Sequence, residues 1–196
     1  MNQAESQIAQ EHFRNYGLRL TRVIENMDYA PLAQLAGELK RCWREKSKVF
    51  IAGNGGSAGN AIHLANDFLY AMSRRRGPGL CVEALPANPA VLTCLANDEG
   101  YENIFALQLA TLARAGDTLI VFSGSGNSPN ILRALEEAKR IGLATYAVLG
   151  YSGGAAMAMA DTVIHVSVDD MQIAEDMQLI TGHMLVQWLM TSLDLI

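Results

Sequence analysis

The sequence predicts an α/β fold, a three-layer αβα sandwich around a mostly parallel five-stranded sheet. Short apolar runs alternate with longer segments of helical periodicity, which is the pattern of successive βαβ units. Right-handed crossovers then place helices on both faces of the sheet. The chain has 196 residues, of which 50% are hydrophobic, and this suits one domain with a sizeable core. The predicted strands cover residues 48–52, 80–85, 118–122, 146–149 and 162–166.

Two predicted helices precede the first strand. Residues 5–27 place four apolar side chains at helical spacing, and Pro31 starts a second helix that ends near Glu45. The apolar stripe of this region has no neighbouring strand in sequence against which to pack. We therefore interpret the chain as a single domain, with residues 1–46 as a helical segment for oligomerisation and residues 47–196 as the α/β core.

The first half of the core contains three predicted helices. One follows the first strand from Ser57 to about Leu69, and the turn Gly77-Pro78-Gly79 separates it from the second strand. Pro89 or a neighbour opens a short helix. A longer helix is predicted over about 102–114, immediately before the third strand.

The second half of the core ends in a long apolar helix. Ser128 is predicted to cap a helix that has Pro129 at its first position and extends to Ile141. A short Ala/Met-rich helix lies between the fourth and fifth strands. The last helix covers about 172–192 and is apolar on several sides, which predicts burial by more than one neighbour. Together with the N-terminal helix it predicts an interface between subunits, most simply in a homotetramer.

Composition and charge exclude several classes of protein. The formal net charge of −5 argues against a broad nucleic-acid surface, and Arg74-Arg75-Arg76, the one dense basic run, is predicted to be a solvated loop. The three cysteines are widely spaced and form no CxxC, which is typical of reduced thiols. There is no signal-peptide pattern and no apolar run of the ~18 residues that a membrane span needs. The sequence predicts a cytoplasmic protein without membrane contacts.

Two loops of small residues follow two predicted strands and lead into helices. They are Gly53-Asn54-Gly55-Gly56-Ser57 and Ser123-Gly124-Ser125-Gly126-Asn127-Ser128. Glycine lets the backbone approach a ligand closely, and helix N-termini present free N–H groups. Neither loop has the spacing of a dinucleotide fingerprint or the Gly-Lys-Ser/Thr of a P-loop. The serines indicate a site for a phosphate monoester, although tight βα turns with Ser or Asn caps are an alternative interpretation.

Two predicted helices carry a polar set. His63 and Asp67 are four residues apart and share one face, two turns after the first loop. Such a pair can hold a divalent ion, move protons near a carbonyl group, or serve only as a surface contact. Glu175 and His183 lie on the last helix, where the acid can simply favour the helix N-terminus and the histidine can be a core or interface residue.

The order of these motifs resembles the sugar isomerase (SIS) domain. The first loop is followed by His63, then by Ala96-Asn97-Asp98, and then by the loop from Ser123 to Ser128. Within this family the chain is most similar to the phosphoheptose isomerase branch, from about residue 5 to the C-terminus. The resemblance implies an aldose–ketose isomerase acting on sedoheptulose 7-phosphate to give D-glycero-D-manno-heptose 7-phosphate, a step of lipopolysaccharide heptose biosynthesis.

The resemblance also implies the residues of the site. It assigns catalysis to Asp67, Glu175 and His183, and binding of Zn²⁺ or another divalent metal to His63, Asp67, Glu175 and His183. Substrate binding is assigned to Asn54, Gly55, Gly56, Ser57, Asp98, Ser123, Gly124, Ser125, Ser128 and Glu175.

Two positions depart from the pattern of the branch. Asp67 stands where the family has Glu, and Glu175 stands where it has Gln. Aspartate is one methylene shorter, and an error of ~1 Å in a reacting group can cost about 100-fold in rate. A second carboxylate is expected to favour a hard or borderline cation. Glu175 and His183 are also ~12 Å apart along a helix, so one ion meets both only when they lean together or when different subunits contribute.

Two other interpretations belong to different functional classes. One is a non-catalytic SIS protein that binds a protein partner, such as a replication initiator. The other is a sensor that binds a sugar phosphate without turnover. Partner-binding relatives tend to lack the acid and the last-helix histidine, so Asp67 and His183 favour the enzyme.

Overall fold

The computed structural model describes residues 2–192, and it describes the side chains of all of these except residues 71–76. Five parallel strands form one sheet in the order β2-β1-β3-β4-β5. The predicted α/β class with a parallel five-stranded sheet is confirmed. The strands are β1 (Lys48–Gly53), β2 (Cys81–Ala84), β3 (Thr118–Ser123), β4 (Ala144–Leu149) and β5 (Thr162–His165).

Eight α-helices surround the sheet in the described residues. They are α1 (Gln3–Asn26), α2 (Ala30–Glu45), α3 (Gly56–Arg76), α4 (Pro89–Asp98), α5 (Ala106–Leu112), α6 (Pro129–Ile141), α7 (Ala156–Met159) and α8 (Met171–Ser192). None of these helices is both long and apolar enough to cross a membrane.

The core is divided by the sheet into two apolar layers. Successive residues of a strand point to opposite faces, so Val49 and Ile51 pack with α2, α3 and α8, whereas Phe50 and Ala52 pack with α5 and α6. The central strand β3 is buried along its whole length, as expected for a parallel strand covered on both faces. The last helix α8 packs on both α2 and α3, in agreement with its apolar composition.

Two predicted helices differ from the observed elements. The helix expected over 102–114 is divided into a 3-10 turn at Tyr101–Asn103 and the short helix α5. Between them Ile104 and Phe105 are consecutive and both 1% exposed, and this anchors the chain where a single helix would continue. The segment 74–76 was predicted as a loop, but its backbone continues α3. The predicted solvation of its arginine side chains stays a prediction, because these side chains are outside the described ones.

Candidate functional site

The two Gly/Ser loops lie side by side at the carboxyl edge of the sheet. They follow β1 and β3, which are adjacent and parallel. The strand order changes direction between these two strands, because β2 lies on one side of β1 and β3 on the other. Ligands of open α/β sheets bind at such a topological switch point. The topology therefore brings the two predicted anion loops to one place.

The first loop presents the start of α3 to the pocket. Gly55 has a φ of 56°, a conformation that glycine adopts without strain, and it leads into the helix at Gly56. Ser57 is 4% exposed, and its Oγ accepts a hydrogen bond from Nε2 of Gln178 on α8 at 3.0 Å. The first turn of a helix leaves backbone N–H groups without intrahelical acceptors, so this end of the pocket suits an anion.

The second loop is folded by its own serines. The hydroxyl of Ser123 accepts from the N–H of Gly126 at 3.0 Å, and that of Ser125 accepts from the N–H of Asn127 at 3.3 Å. A Cβ on Gly126 would lie 1.9 Å from the carbonyl oxygen of Gly153, so only glycine fits there. Ser128 is the N-cap of α6 but makes no side-chain capping bond, which leaves its hydroxyl available to a ligand.

A pair of amides joins the two loops. Asn54 and Asn130 exchange two hydrogen bonds of 2.8 Å, each side-chain amide donating to the other's oxygen. The Tyr101 hydroxyl also donates to Oδ1 of Asn54 at 3.1 Å. Since both polar atoms of Asn54 have protein partners, its side chain shapes the pocket and has limited capacity for a sugar hydroxyl.

The start of α8 closes the pocket. The Met171 side chain lies against Gly124 of the second loop, where an added Cβ would be 2.6 Å from the Met171 sulfur. The Glu175 side chain lies against Gly56 of the first loop, where an added Cβ would be 2.2 Å from Oε2 of Glu175. The resulting cavity measures about 240 Å³ and is lined by Asn54, Gly55, Gly56, Ser57, Phe122, Ser123, Gly124, Ser125, Ser128, Met171 and Glu175. Nine of the ten predicted substrate-binding residues are thus in one cavity.

A second polar cluster lies further along α3 and α8. The Nε2 atoms of His63 and His183 are 3.0 Å apart, and Oδ2 of Asp67 lies 3.4 Å from the first and 3.5 Å from the second. Both imidazoles are about half exposed, and the carboxylate is 26% exposed. This cluster, which we call the His/Asp triad, is a group that can hold a metal ion.

The predicted residues therefore form two groups. Three of the four predicted metal ligands form the triad, while Glu175 lies with the Gly/Ser loops. Asp98 lies elsewhere: it is exposed at the end of α4, and its carboxylate accepts a hydrogen bond of 2.7 Å from Asn97. The assignment of Asp98 to substrate binding stays a prediction.

Sequence reasoning missed several supporting side chains. Gln178 bridges α3 and α8, since it donates to Ser57 and accepts from Asn60 at 3.0 Å. Asn60 also donates to the backbone oxygen of Glu175 at 3.0 Å. The structure reveals their burial, since Gln178 is 1% exposed and Asn130, which holds Asn54, is also 1% exposed.

Comparisons with known proteins find similarity over most of the chain. A family model described as "SIS domain" matches residues 12–150. The phosphoheptose isomerase of Desulfovibrio desulfuricans is 35% identical over 187 residues, which cover 95% of this chain and 88% of that protein.

Two solved structures are similar along nearly the whole chain. A phosphoheptose isomerase from Francisella tularensis is 28% identical with a TM-score of 0.87, covering 95% of this chain and 98% of that one. The phosphoheptose isomerase from Neisseria gonorrhoeae is 27% identical with a TM-score of 0.84, covering 92% and 98%. This chain belongs to the SIS domain family, in its phosphoheptose isomerase branch.

Proposed function

We propose that this protein is an isomerase that interconverts sedoheptulose 7-phosphate and D-glycero-D-manno-heptose 7-phosphate. The observation that carries the proposal is the arrangement of an anion pocket and a His/Asp triad along the same two helices. Ser57 in the pocket and His63 in the triad are both on α3, ~9 Å apart along its axis. That separation is comparable with the length of an extended sugar phosphate, whose two ends need different chemistry.

The pocket suits the phosphate end. Hydroxyls of Ser57, Ser123, Ser125 and Ser128 surround it, together with the first turn of α3. Binding energy gained at the phosphate is remote from the reacting carbons, and it can be used to position them. We assign Glu175, which lines the same cavity, to the sugar hydroxyls nearest the phosphate.

The triad suits the carbonyl end. Aldose–ketose isomerisation removes a proton from the carbon next to the carbonyl and returns one to the former carbonyl carbon, while a second proton moves between the two oxygens. We assign the first task to Asp67, through the carboxylate oxygen that does not face the imidazoles, because its Oδ2 lies within 3.5 Å of both of them. We assign His183 to holding the two reacting oxygens in place while the second proton passes between them. General acid–base groups of this kind contribute typically 10²–10⁴-fold each.

The donor set of the triad fits a zinc ion. Two imidazole nitrogens and one carboxylate oxygen are the ligands of a catalytic zinc, bound at ~2.0–2.2 Å in a tetrahedron whose edges are then about 3.4 Å. The three observed separations are 3.0, 3.4 and 3.5 Å. We propose that His63, Asp67 and His183 hold Zn²⁺ in this chain. When bound, the ion stabilises negative charge on the reacting oxygens.

We also propose that the protein is a homotetramer and that the segment 1–46 contributes to its interfaces. None of the residues of α1 is buried, and Ile8 and Phe13 are each 69% exposed. On α8, Trp188 is 42% exposed. Exposed apolar surface of this kind marks interaction sites.

Turnover by matched variants tests the proposed function. We expect the zinc-loaded protein to convert sedoheptulose 7-phosphate to the aldoheptose phosphate, and Asp67→Asn and His183→Asn each to lose at least about 100-fold in kcat. His12→Asn, which changes an exposed histidine of α1, is the control and retains activity. Binding without turnover by the wild-type protein would instead indicate a sensor, and absence of both would indicate a partner-binding protein.

A further inference from the structure

Two side chains of α1 reach the start of α8. The hydroxyl of Tyr16 donates to Oδ2 of Asp176 at 2.5 Å, and Nη1 of Arg19 donates to Oδ2 of Asp170 at 2.7 Å. The Arg19 guanidinium also lies over the Tyr16 ring, 5.6 Å from its centroid. These two residues contact each other as well as α8, and we call them the α1 clamp.

The charge states of the clamp suit its hydrogen bonds. Burial, together with the hydrogen bond to Asp176, raises the pKa of Tyr16 to about 12, so the phenol remains a donor at neutral pH. The N–H of Ile173, followed by Arg19, lowers the pKa of Asp170 below its ordinary value. Both side chains of α1 are therefore donors at neutral pH, and Asp170 is an ionised acceptor.

The two tethered aspartates bracket the residues that close the pocket. Asp170 caps α8, because its Oδ1 accepts from the N–H of Ile173 at 3.1 Å, and Asp176 lies almost two turns later. Between them Met171 meets Gly124 of the second loop and Glu175 meets Gly56 of the first. A movement of this part of α8 would therefore change the contact with both loops at once.

We propose that Tyr16 and Arg19 are positioning residues of the substrate pocket, which hold the first two turns of α8 so that Met171 and Glu175 stay against the two loops. The identity of the ligand rests on the proposed function, whereas the clamp itself rests on the contacts above. The N-terminal helix then has a role in the site besides its proposed role in assembly, since any displacement of α1 is transmitted to the pocket.

The experiment compares Tyr16→Phe combined with Arg19→Gln against a matched double control. The control is Tyr29→Phe combined with Arg140→Gln. It removes the hydrogen bond from the Tyr29 hydroxyl to Ile24 and the ion pair of Arg140 with Glu137, and neither of these interactions is with α8. Amide hydrogen exchange of residues 171–178 is measured in the ligand-free protein, with residues 130–136 of α6 as the internal reference. Calorimetry measures the affinity for sedoheptulose 7-phosphate and for inorganic phosphate, and kinetics measure KM and kcat.

We expect the clamp variant to exchange at least about fivefold faster at 171–178, with α6 unchanged, and to bind both ligands about fivefold more weakly. KM rises by a similar factor and kcat stays within twofold. The single variant Arg19→Lys, which keeps the positive charge and Tyr16, retains most of the wild-type affinity. The control variant behaves as wild type in every measurement.

Unchanged exchange at 171–178, or exchange that rises equally in α6, overturns the proposal, and so does unchanged affinity. These outcomes are independent of turnover. If the wild-type protein bound phosphate but did not isomerise the sugar, the proposed function would fail, while the exchange and phosphate measurements would still decide the role of the clamp.

Discussion

Replacement of Gly56 by alanine is expected to change the site without harming the fold. The added Cβ would lie 2.2 Å from Oε2 of Glu175 and 2.5 Å from its Cδ. Its nearest neighbours all belong to the end of one flexible side chain, which can move away. Gly56 is in the first turn of α3, and it is not one of the glycines with a positive φ. Alanine is therefore compatible with its backbone conformation.

The magnitude follows from the distance that the carboxylate must move. Ordinary contact begins at 3.4 Å, so the Glu175 carboxylate must retreat by about 1.2 Å. A displacement of about 1 Å at a site can cost up to about 100-fold in rate. We expect Gly56→Ala to lower kcat/KM by about 10- to 100-fold, which corresponds to about 1.4–2.7 kcal/mol. The free energy of unfolding is unchanged or rises by up to about 1 kcal/mol.

Gly59→Ala is the matched control, because a Cβ on Gly59 has no neighbour within 4 Å and the residue lies on the same helix. Initial rates with sedoheptulose 7-phosphate and urea unfolding of both variants are the assay. Equal kcat/KM for the two variants would refute the role of Glu175, and unfolding of Gly56→Ala at lower urea than wild type would refute the assumption that the carboxylate can move freely.

Four further predictions test other parts of the structure. Ser57→Ala combined with Ser125→Ala should weaken sugar-phosphate binding by roughly 1.5–3 kcal/mol for each lost bond to the phosphate, and unchanged calorimetric affinity would contradict the phosphate site. His183→Ala should abolish tight zinc binding, measured by metal analysis after dialysis, since it removes one of three ligands; retention of stoichiometric zinc would contradict the triad. Arg41, with Thr118, lowers the pKa of Glu38 below 4.5, so ionised Glu38 stabilises the fold above that pH and the contribution is lost as the pH falls through the lower folded-state value. Glu38→Gln should therefore be less stable than wild type at pH 7 by about 1.5–3 kcal/mol, and this difference should vanish in acid. The control Glu45→Gln, which removes an exposed partner of Arg41, should cost less than about 1 kcal/mol. A loss of stability in Glu38→Gln that persists at pH 2 would contradict the stabilising role of ionised Glu38. Light scattering should report a tetramer at micromolar concentration, and a monomer would contradict the proposed interface.

The sheet could be predicted because its strands carry an unambiguous signal. β1 and β3 are buried on both faces and read as continuous apolar runs. The segment after Gly100 was harder, since the apolar residues Ile104 and Phe105 fit a helical pattern and yet lie in a break between two short helices. Local periodicity does not reveal such a break, because the burial that causes it comes from other elements.

The site could be predicted only in part, for a related reason. The serines lie within the Gly-rich loops, and His63 and Asp67 follow the first loop closely in sequence. Local spacing and family resemblance therefore find them. The partners of the loops are distant in sequence: Asn130 pairs with Asn54, and Gln178 bonds Ser57. A lone amide in a helix has no periodic signature, and only the packing of α3 against α8 shows its role.

The separation of Glu175 from His183 could be predicted from the sequence, because eight residues of helix span ~12 Å. Within one chain the acid lies with the Gly/Ser loops and the histidine lies in the triad. We therefore expect the departure from the family resemblance at Glu175 to act on the pocket, and the departure at Asp67 to act on the triad. The two departures from the family pattern have separable consequences.

Nuclear magnetic resonance in deuterated water tests proton transfer at the sugar carbonyl most directly. Zinc-loaded protein is incubated with sedoheptulose 7-phosphate, and the carbon and proton spectra are followed with time. We expect aldoheptose 7-phosphate to appear with deuterium on the carbon next to its carbonyl, and we expect Asp67→Asn to abolish both signals. A ketose that keeps its protons and forms no aldose, in the presence of bound zinc, would contradict the proposed proton transfer.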